Sequence, residues 1–98
     1  MEYKNDDLKV RMVVKDRPTV KEQLEYYGFA TLAINADMWI RLWKAAQVLI
    51  TEWESELVRD PKRVDFDLET DPDVTQLAIW VGITVKAHVN KLEAVPKN

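Results

Sequence analysis

Cysteine is absent from this 98-residue chain, which excludes a disulfide framework and a thiolate zinc site. Glycine occurs only at Gly28 and Gly82, so the sequence cannot form a glycine-rich phosphate loop or a dinucleotide-binding fingerprint. The single histidine, His88, cannot build a histidine metal site by itself. No apolar run approaches the ~18 residues of a membrane span, and the first residues carry no signal-peptide pattern. We therefore expect a cytoplasmic protein that uses no cofactor.

An excess of basic charge is also missing. The chain has 14 basic and 17 acidic side chains, a formal net charge of -3, which gives it no general attraction for the phosphates of nucleic acid. Its length and its hydrophobic content of 47% fit one domain spanning residues 1–98. Residues 1–7 are polar and acidic without a period, so we expect them to form a loose N-terminal tail.

Periodicity predicts an α+β domain that is mainly helical. Apolar residues alternate over residues 8–14 and again over residues 64–68, which predicts a two-stranded ribbon formed by these two segments. Helical spacing predicts three helices, over about residues 19–34, 36–58 and 72–94. In the first of them the apolar line runs through Val20, Leu24 and Tyr27.

Capping signals support the starts of these helices. Thr19 precedes Glu22 by three residues, the spacing of a capping box. Asn35 or Asp37 can cap the second helix, and Asp71 before Pro72 can open the third. The sequence leaves open whether Gly28 ends the first helix or lies inside it, because glycine is common both at helix ends and at tolerated interior sites. We expect Gly82, within the third helix, to permit a close helix crossing or a local kink.

The second and third helices carry more apolar residues than one buried face requires. A chain of this length has difficulty surrounding two helices that are apolar around much of their circumference, so part of this surface is expected to meet another chain. Tryptophan is enriched at interface hot spots. The residues predicted to act as apolar anchors are Trp39, Trp43, Trp53, Trp80 and Ile83. The alternative interpretation is that the tryptophans fill a small core.

Acidic residues occur at every second position from residue 65 to residue 73, and an oxygen-rich cluster of this kind could bind a divalent cation. An EF-hand loop that began at Asp65 would need glycine and glutamate where Thr70 and Gln76 stand. Strand pairing with Lys9 and Arg11, together with helix capping, is the better prediction, although the sequence does not decide whether a cation binds. The acidic residues are Asp65, Asp67, Glu69, Asp71 and Asp73.

Catalysis is not predicted. His88 lies on or beside the apolar stripe of the third helix, and no serine, threonine or carboxylate is spaced to pair with it, so we expect a hydrogen-bonded structural histidine. A helix-turn-helix with its recognition helix at residues 37–50 would offer only Arg41 and Lys44 to phosphates. We expect no enzyme, no membrane association and no nucleic-acid partner.

Three features resemble small accessory proteins of phage tail-assembly modules, particularly tail-assembly chaperones. They are the segment RPTVKEQL at residues 17–24, the tryptophan-rich second helix and the Asp71-Pro72 helix start, so the resemblance covers about residues 17–96. It implies a cytoplasmic protein without cofactor that binds an aggregation-prone partner, and it assigns no catalytic residues. The predicted function is therefore non-enzymatic protein binding, as a homo-oligomeric assembly factor, chaperone or adaptor. The alternatives are a small nucleic-acid-binding regulator and an inhibitor that masks another protein's surface.

Overall fold

Three helices and a three-stranded antiparallel sheet make up the fold, which confirms the predicted α+β, mainly helical class. The computed structural model describes residues 1–31 and 38–94, and of residues 93 and 94 only the backbone. In chain order the elements are β1 (Glu2–Asn5), β2 (Val10–Val14), α1 (Val20–Ala30), α2 (Met38–Leu49), β3 (Ile50–Ser55), a 3₁₀ turn (Pro61–Arg63) and α3 (Pro72–Ala94).

The central strand of the sheet is β2, which pairs with β1 on one side and β3 on the other. Its side chains alternate as the sequence predicts: Val10, Met12 and Val14 are buried. Tyr3 and Trp53 pair with Met12 from the two sides, so all three side chains point to the same face of the sheet. This face packs on the helices and forms one side of the core.

The expectation of a loose tail at residues 1–7 is wrong, because Glu2–Asn5 form the edge strand β1. The hairpin turn that follows is closed by the Asn5 side chain, whose Oδ1 accepts from the Leu8 N–H at 3.1 Å. Lys9 completes the turn with a positive φ of 51°, in the left-handed region. A four-residue strand is too short for its alternation of polar residues with Tyr3 to stand out in the sequence.

The predicted pairing of residues 8–14 with residues 64–68 is also wrong, since the second partner of β2 is β3. Residues 64–68 instead form a turn, in which the Asp65 carboxylate accepts from the Asp67 N–H at 3.0 Å. Val64 and Phe66 still pack against the core, whereas Leu68 is exposed. Alternating burial along this segment therefore arises without a strand.

The second helix is shorter than the predicted 36–58, because α2 ends at Leu49 and the chain passes directly into β3. Within β3, the exposed Glu52 and Glu54 flank the half-buried Trp53, which is the two-residue period of a strand. Trp53 also fits a helical spacing from α2, and this coincidence led to the helical prediction. The described residues do not include positions 35–37, where the predicted start of this helix and its predicted caps, Asn35 and Asp37, lie.

The helix starts at Thr19 and Asp71 are confirmed. The Thr19 hydroxyl accepts from the Glu22 N–H at 3.1 Å, and the Glu22 carboxylate accepts from the Thr19 N–H at 2.9 Å, which completes the capping box. Asp71 accepts from the Asp73 N–H at 2.9 Å before α3. Gly28 lies inside α1, and of the predicted range 19–34 the last three residues lie outside the described part of the chain.

The core lies between the inner face of the sheet and the helices, and α2 packs against both α1 and α3. The buried apolar stripe of α3 consists of Val74, Leu77, Ala78, Val81, Val85 and Val89, and Leu92, which the helical spacing also places on this stripe, is only partly buried. Among the described helices, none combines the length and the apolar character needed to cross a membrane.

Candidate protein-interaction surface

Trp43, one of the tryptophans predicted as interface anchors, is held in the core, and the half-buried Trp53 packs against it. Trp43 is only 3% exposed, and its indole N–H donates to the Pro61 carbonyl at 3.2 Å. The indole N–H of Trp53 donates to the Val58 carbonyl at 2.7 Å, and the two indoles pack edge to face with centroids 5.7 Å apart. Burial rules out Trp43 as a surface anchor in this conformation.

The remaining tryptophans are half-buried. Trp39 packs edge to face on Phe66 with centroids 4.9 Å apart, and Phe66 packs in the same manner on Trp43 at 5.8 Å. This aromatic cluster fixes the segment after the 3₁₀ turn against α2, a packing role that matches the alternative interpretation of the tryptophans. Trp80 packs against the core from α3. Trp39, Trp53 and Trp80 therefore keep only part of their surface for a partner.

Ile83 is the one predicted anchor that lies largely on the surface, and it is 58% exposed. Ile79, one turn earlier on α3, is 38% exposed on the same side of the helix. The opposite side of α3 carries the buried valine stripe. These two isoleucines are therefore surplus to the core.

A second apolar surface lies on α1, along the apolar line that the helical spacing of the sequence predicts for this helix. Val20 is 72% exposed and Leu24 is 68% exposed, while Tyr27 lies near the same line with more than a third of its surface exposed. We call Val20, Leu24 and Tyr27 the outer α1 face.

The buried side of α1 is instead carried by Tyr26, with Glu22 and Ala30 partly buried beside it. These three residues follow an i, i+4, i+8 spacing. That spacing is the signal in the sequence that could have identified the inner side of the helix.

Lys15 and Glu22 hold the start of α1 against the end of β2. The Lys15 Nζ lies 2.6 Å from the Glu22 carboxylate. The hydrogen bond from Lys15, followed by the backbone N–H of Thr19, lowers the pKa of Glu22 from 4.5 to about 2. A short helix that buries a single aromatic side chain is therefore anchored in part by an ion pair.

A groove of about 200 Å³ lies where the three helices meet and extends the outer α1 face. Tyr27 borders the groove on α1, Met38 and Leu42 border it on α2, and Val89 and Asn90 border it on α3. Met38 is also a largely exposed apolar residue. The outer α1 face and this three-helix groove thus meet at Tyr27.

The outer face of the sheet has a different character, because charged side chains cover it. The Arg11 guanidinium lies 3.2 Å from Glu2, 3.7 Å from Glu54 and 3.9 Å from Glu52. Hydrogen bonding to Arg11 lowers the pKa of Glu2, and the same contact raises the pKa of Arg11. The expected pairing of Arg11 with the acidic residues at positions 65–69 is therefore wrong, since the acidic partners of Arg11 come from β1 and β3.

Three of the five acidic residues at positions 65–73 act as local caps, namely Asp65, Glu69 and Asp71. Asp65 and Asp71 accept from backbone N–H groups as described above, and Glu69 accepts from the Asp71 N–H at 2.9 Å. Within residues 1–31 and 38–94, no group of three or more acidic, histidine or cysteine side chains is placed to hold a metal ion.

His88 is buried and hydrogen-bonded at both ring nitrogens. Nε2 lies 2.9 Å from the Lys15 carbonyl, which can only accept, so Nε2 carries the proton. Nδ1 lies 2.7 Å from the Tyr3 hydroxyl, and in a neutral imidazole ring with its proton on Nε2 it accepts from that hydroxyl. Burial, and then the charge of Asp16, raises the pKa of Tyr3. The predicted structural histidine is present, and it links α3 to β1 and to the end of β2.

No family model, curated protein or solved structure matches this chain. The resemblance to phage tail-assembly chaperones accordingly stays a prediction, and the function has to be inferred from the surface described above.

Proposed function

We propose that this chain is a non-enzymatic protein-binding protein, an assembly chaperone or adaptor that binds an amphipathic helix of a partner protein on the outer α1 face. The observation that carries the proposal is the exposure of Val20 and Leu24, at 72% and 68%, on a helix that buries only Tyr26. The homo-oligomeric, phage and cytoplasmic parts of the prediction are compatible with this role and are not needed for it.

Energetics support a partner on this face. Full burial of a valine or leucine side chain is worth roughly 1.5–3 kcal/mol, and the free protein leaves this free energy unused at both positions. An isolated helix of the 11 residues of α1 is marginal in water, so contacts on its outer side would stabilise it as well. Single exposed apolar residues are normal on protein surfaces, but two neighbouring ones at an i, i+4 spacing with Tyr27 beside them form a patch.

The spacing of the outer α1 face favours a helical occupant. Val20, Leu24 and Tyr27 follow the i, i+4, i+7 pattern by which one helix packs on another. Gly28 adjoins this line, and a Cβ on it would meet no atom within 4 Å, so a partner's backbone can approach closely there. Lys21 and Glu25 flank the face with opposite charges, and such a flank suits an occupant without strong net charge.

Nucleic-acid binding has less support. The basic residues that the sheet presents are engaged by acids: Arg11 contacts three glutamates, and Lys9 lies 4.0 Å from Glu56. Such pairs offset the positive charge that phosphate contacts require.

The proposal is tested with a fluorescently labelled synthetic amphipathic helix, rich in leucine on one side and uncharged overall, titrated with the protein and followed by anisotropy. We expect binding by the natural chain and at least a tenfold loss in the double variant Val20→Thr, Leu24→Gln. Leu68→Gln is the matched control, because Leu68 is 78% exposed but lies outside α1. Substitutions at such exposed sites change stability by only about 0.5 kcal/mol, so thermal unfolding should be unaffected. No binding by the natural chain, or equal binding by the double variant, would contradict the proposal.

A further inference from the structure

The outward side of α3 carries a line of exposed residues, of which Lys86 and Asn90 also border the three-helix groove. The members of this line are Gln76, Ile79, Ile83, Lys86 and Asn90, at alternating spacings of three and four residues, with Ala87 beside them. This alternation is the heptad seam by which two long helices pack side by side. The helix itself is 23 residues long, which gives the seam room for two full heptads.

We propose that two copies of this chain pair through α3 in antiparallel orientation, with the two-fold axis passing at Ile83. The proposal names a second copy as the partner of α3. It goes beyond the proposed function, which concerns the outer α1 face and a different protein.

The seam is self-complementary about Ile83 in part, with Gln76 and Asn90 as mirror positions, whereas Lys86 falls opposite Trp80. A two-fold axis there makes Ile83 face Ile83, and it sets residues at equal distances before and after Ile83 opposite each other. Gln76 and Asn90 are each seven positions away, so the side-chain amides of the two copies can hydrogen-bond at both ends of the seam. Ile79 and Ala87 are each four positions away, and a large side chain then meets a small one.

Charges on the flank of the seam also favour the antiparallel pair. Asp73 and Lys91 are both exposed, and they are eighteen residues apart (91 minus 73), which is five turns of 3.6 residues and places them on the same flank. An antiparallel pair brings equivalent flanks together. Because Asp73 stands ten residues before Ile83 and Lys91 eight after it, Asp73 of one copy lies within about 3 Å along the axis of Lys91 of the other. The dimer thus gains two ion pairs between its two copies.

A seam of this size predicts a weak dimer. The area that one helix buries along one side lies at the low end of the range for specific interfaces. We therefore expect a dissociation constant in the range of roughly 1–100 μM. Self-association should therefore depend on protein concentration over this range.

The test is sedimentation equilibrium of the purified full chain across that concentration range. We expect Ile83→Lys, which sets two like charges at the axis, to raise the dissociation constant at least tenfold. Leu68→Lys, the same change of charge at an exposed leucine outside α3, should leave it unchanged. Asp73→Lys and Lys91→Asp should each weaken the dimer several-fold at low salt, and the double variant should restore the dissociation constant to within about twofold.

Four results would overturn the proposal. A natural chain that stays monomeric up to the highest concentration would exclude the dimer. A dimer that survives Ile83→Lys would exclude α3 as its seam, and one that is lost in Val20→Thr, Leu24→Gln would assign self-association to α1. Charge reversals that fail to compensate each other would exclude the antiparallel register. None of these results changes the helix-binding measurement on α1, so the two proposals fail separately.

Discussion

Gly82 of α3 lies directly against Leu42 of α2. A Cβ built on Gly82 would stand 2.9 Å from the Leu42 Cβ and 3.5 Å from its carbonyl carbon. Real Cβ atoms essentially never come this close, so the two helices cross at a separation that only glycine permits at this position. The sequence predicted a close crossing or a kink at Gly82, and the crossing is what the structure shows.

Substitution Gly82→Ala should destabilise the protein even though alanine is the better helix former. Overpacking against the Leu42 Cβ and backbone, which cannot rotate away, costs about 1–3 kcal/mol and exceeds the roughly 1 kcal/mol gained in helix propensity. We expect a net loss of up to about 2 kcal/mol in the free energy of unfolding measured with urea. A Gly82→Ala variant as stable as the natural chain would show that the two helices can move apart enough to accept the extra methyl group.

Gly28→Ala provides the matched comparison. Gly28 also lies within a helix, but a Cβ there meets nothing within 4 Å, so alanine should raise the free energy of unfolding by about 0.5–1 kcal/mol. If a partner helix approaches closely at Gly28, the same substitution should weaken binding of the labelled amphipathic helix while the protein becomes more stable. A variant that gains stability and binds equally well would separate Gly28 from the docking surface.

Sequence signals were reliable where the cause was local. The capping box at Thr19 and Glu22 and the Asp71-Pro72 start depend on contacts within a few residues, and both helix starts are found as predicted. The strands depend on contacts between residues that are far apart in the sequence, so local spacing could not predict them. Trp53 fits the spacing of a helix and of a strand equally well, and its pairing with Met12 is what makes it part of a strand. The tertiary context outweighed the local pattern.

For a similar reason, the sequence predicted only part of the candidate surface. Ile83 lies outside a continuous valine stripe, so its exposure follows from the spacing along α3. α1 has apolar residues on both sides, and spacing alone cannot tell which side faces the core. Nothing in the sequence shows that Trp43 has a carbonyl acceptor in Pro61, which is what allows a whole indole to be buried.

The Lys15–Glu22 ion pair predicts that the stability of the protein depends on pH. The pKa of Glu22 falls from 4.5 in the unfolded chain to about 2 in the folded protein. The ionised Glu22 carboxylate therefore makes its full contribution to the free energy of unfolding above about pH 4.5, and this contribution is lost as the pH falls towards 2. We expect the natural chain to be more stable than Glu22→Gln at neutral pH, and the difference should shrink to nothing near pH 2. Glu25→Gln, at an exposed position of the same helix, is the control and should show no such trend.

Tyr3 and His88 tie β1 to α3 through a buried hydrogen bond of 2.7 Å. Tyr3→Phe keeps the ring but leaves Nδ1 of His88 without a donor, and an unsatisfied buried polar atom costs about 1–3 kcal/mol. Tyr27→Phe removes a hydroxyl from a partly exposed ring and should change stability by less than about 0.5 kcal/mol. Thermal unfolding of the two variants side by side checks this. Equal melting temperatures would mean that the hydroxyl of Tyr3 contributes nothing to holding β1.

Gln47 on α2 is the opposite case, because the described residues leave its buried amide group without a hydrogen-bond partner. Neither its Oε1 nor its Nε2 makes a hydrogen bond there, although both atoms are shielded from solvent. Methionine has nearly the same shape and no polar atom to desolvate, so Gln47→Met should raise the free energy of unfolding by about 1–2 kcal/mol. The control is Gln23→Met, at an exposed position of α1 where the side chain donates to the Pro18 carbonyl at 3.1 Å, and there we expect little change. A loss of stability in Gln47→Met would show that the amide has hydrogen-bond partners in solution, whereas a gain would show that this amide is retained at the expense of stability.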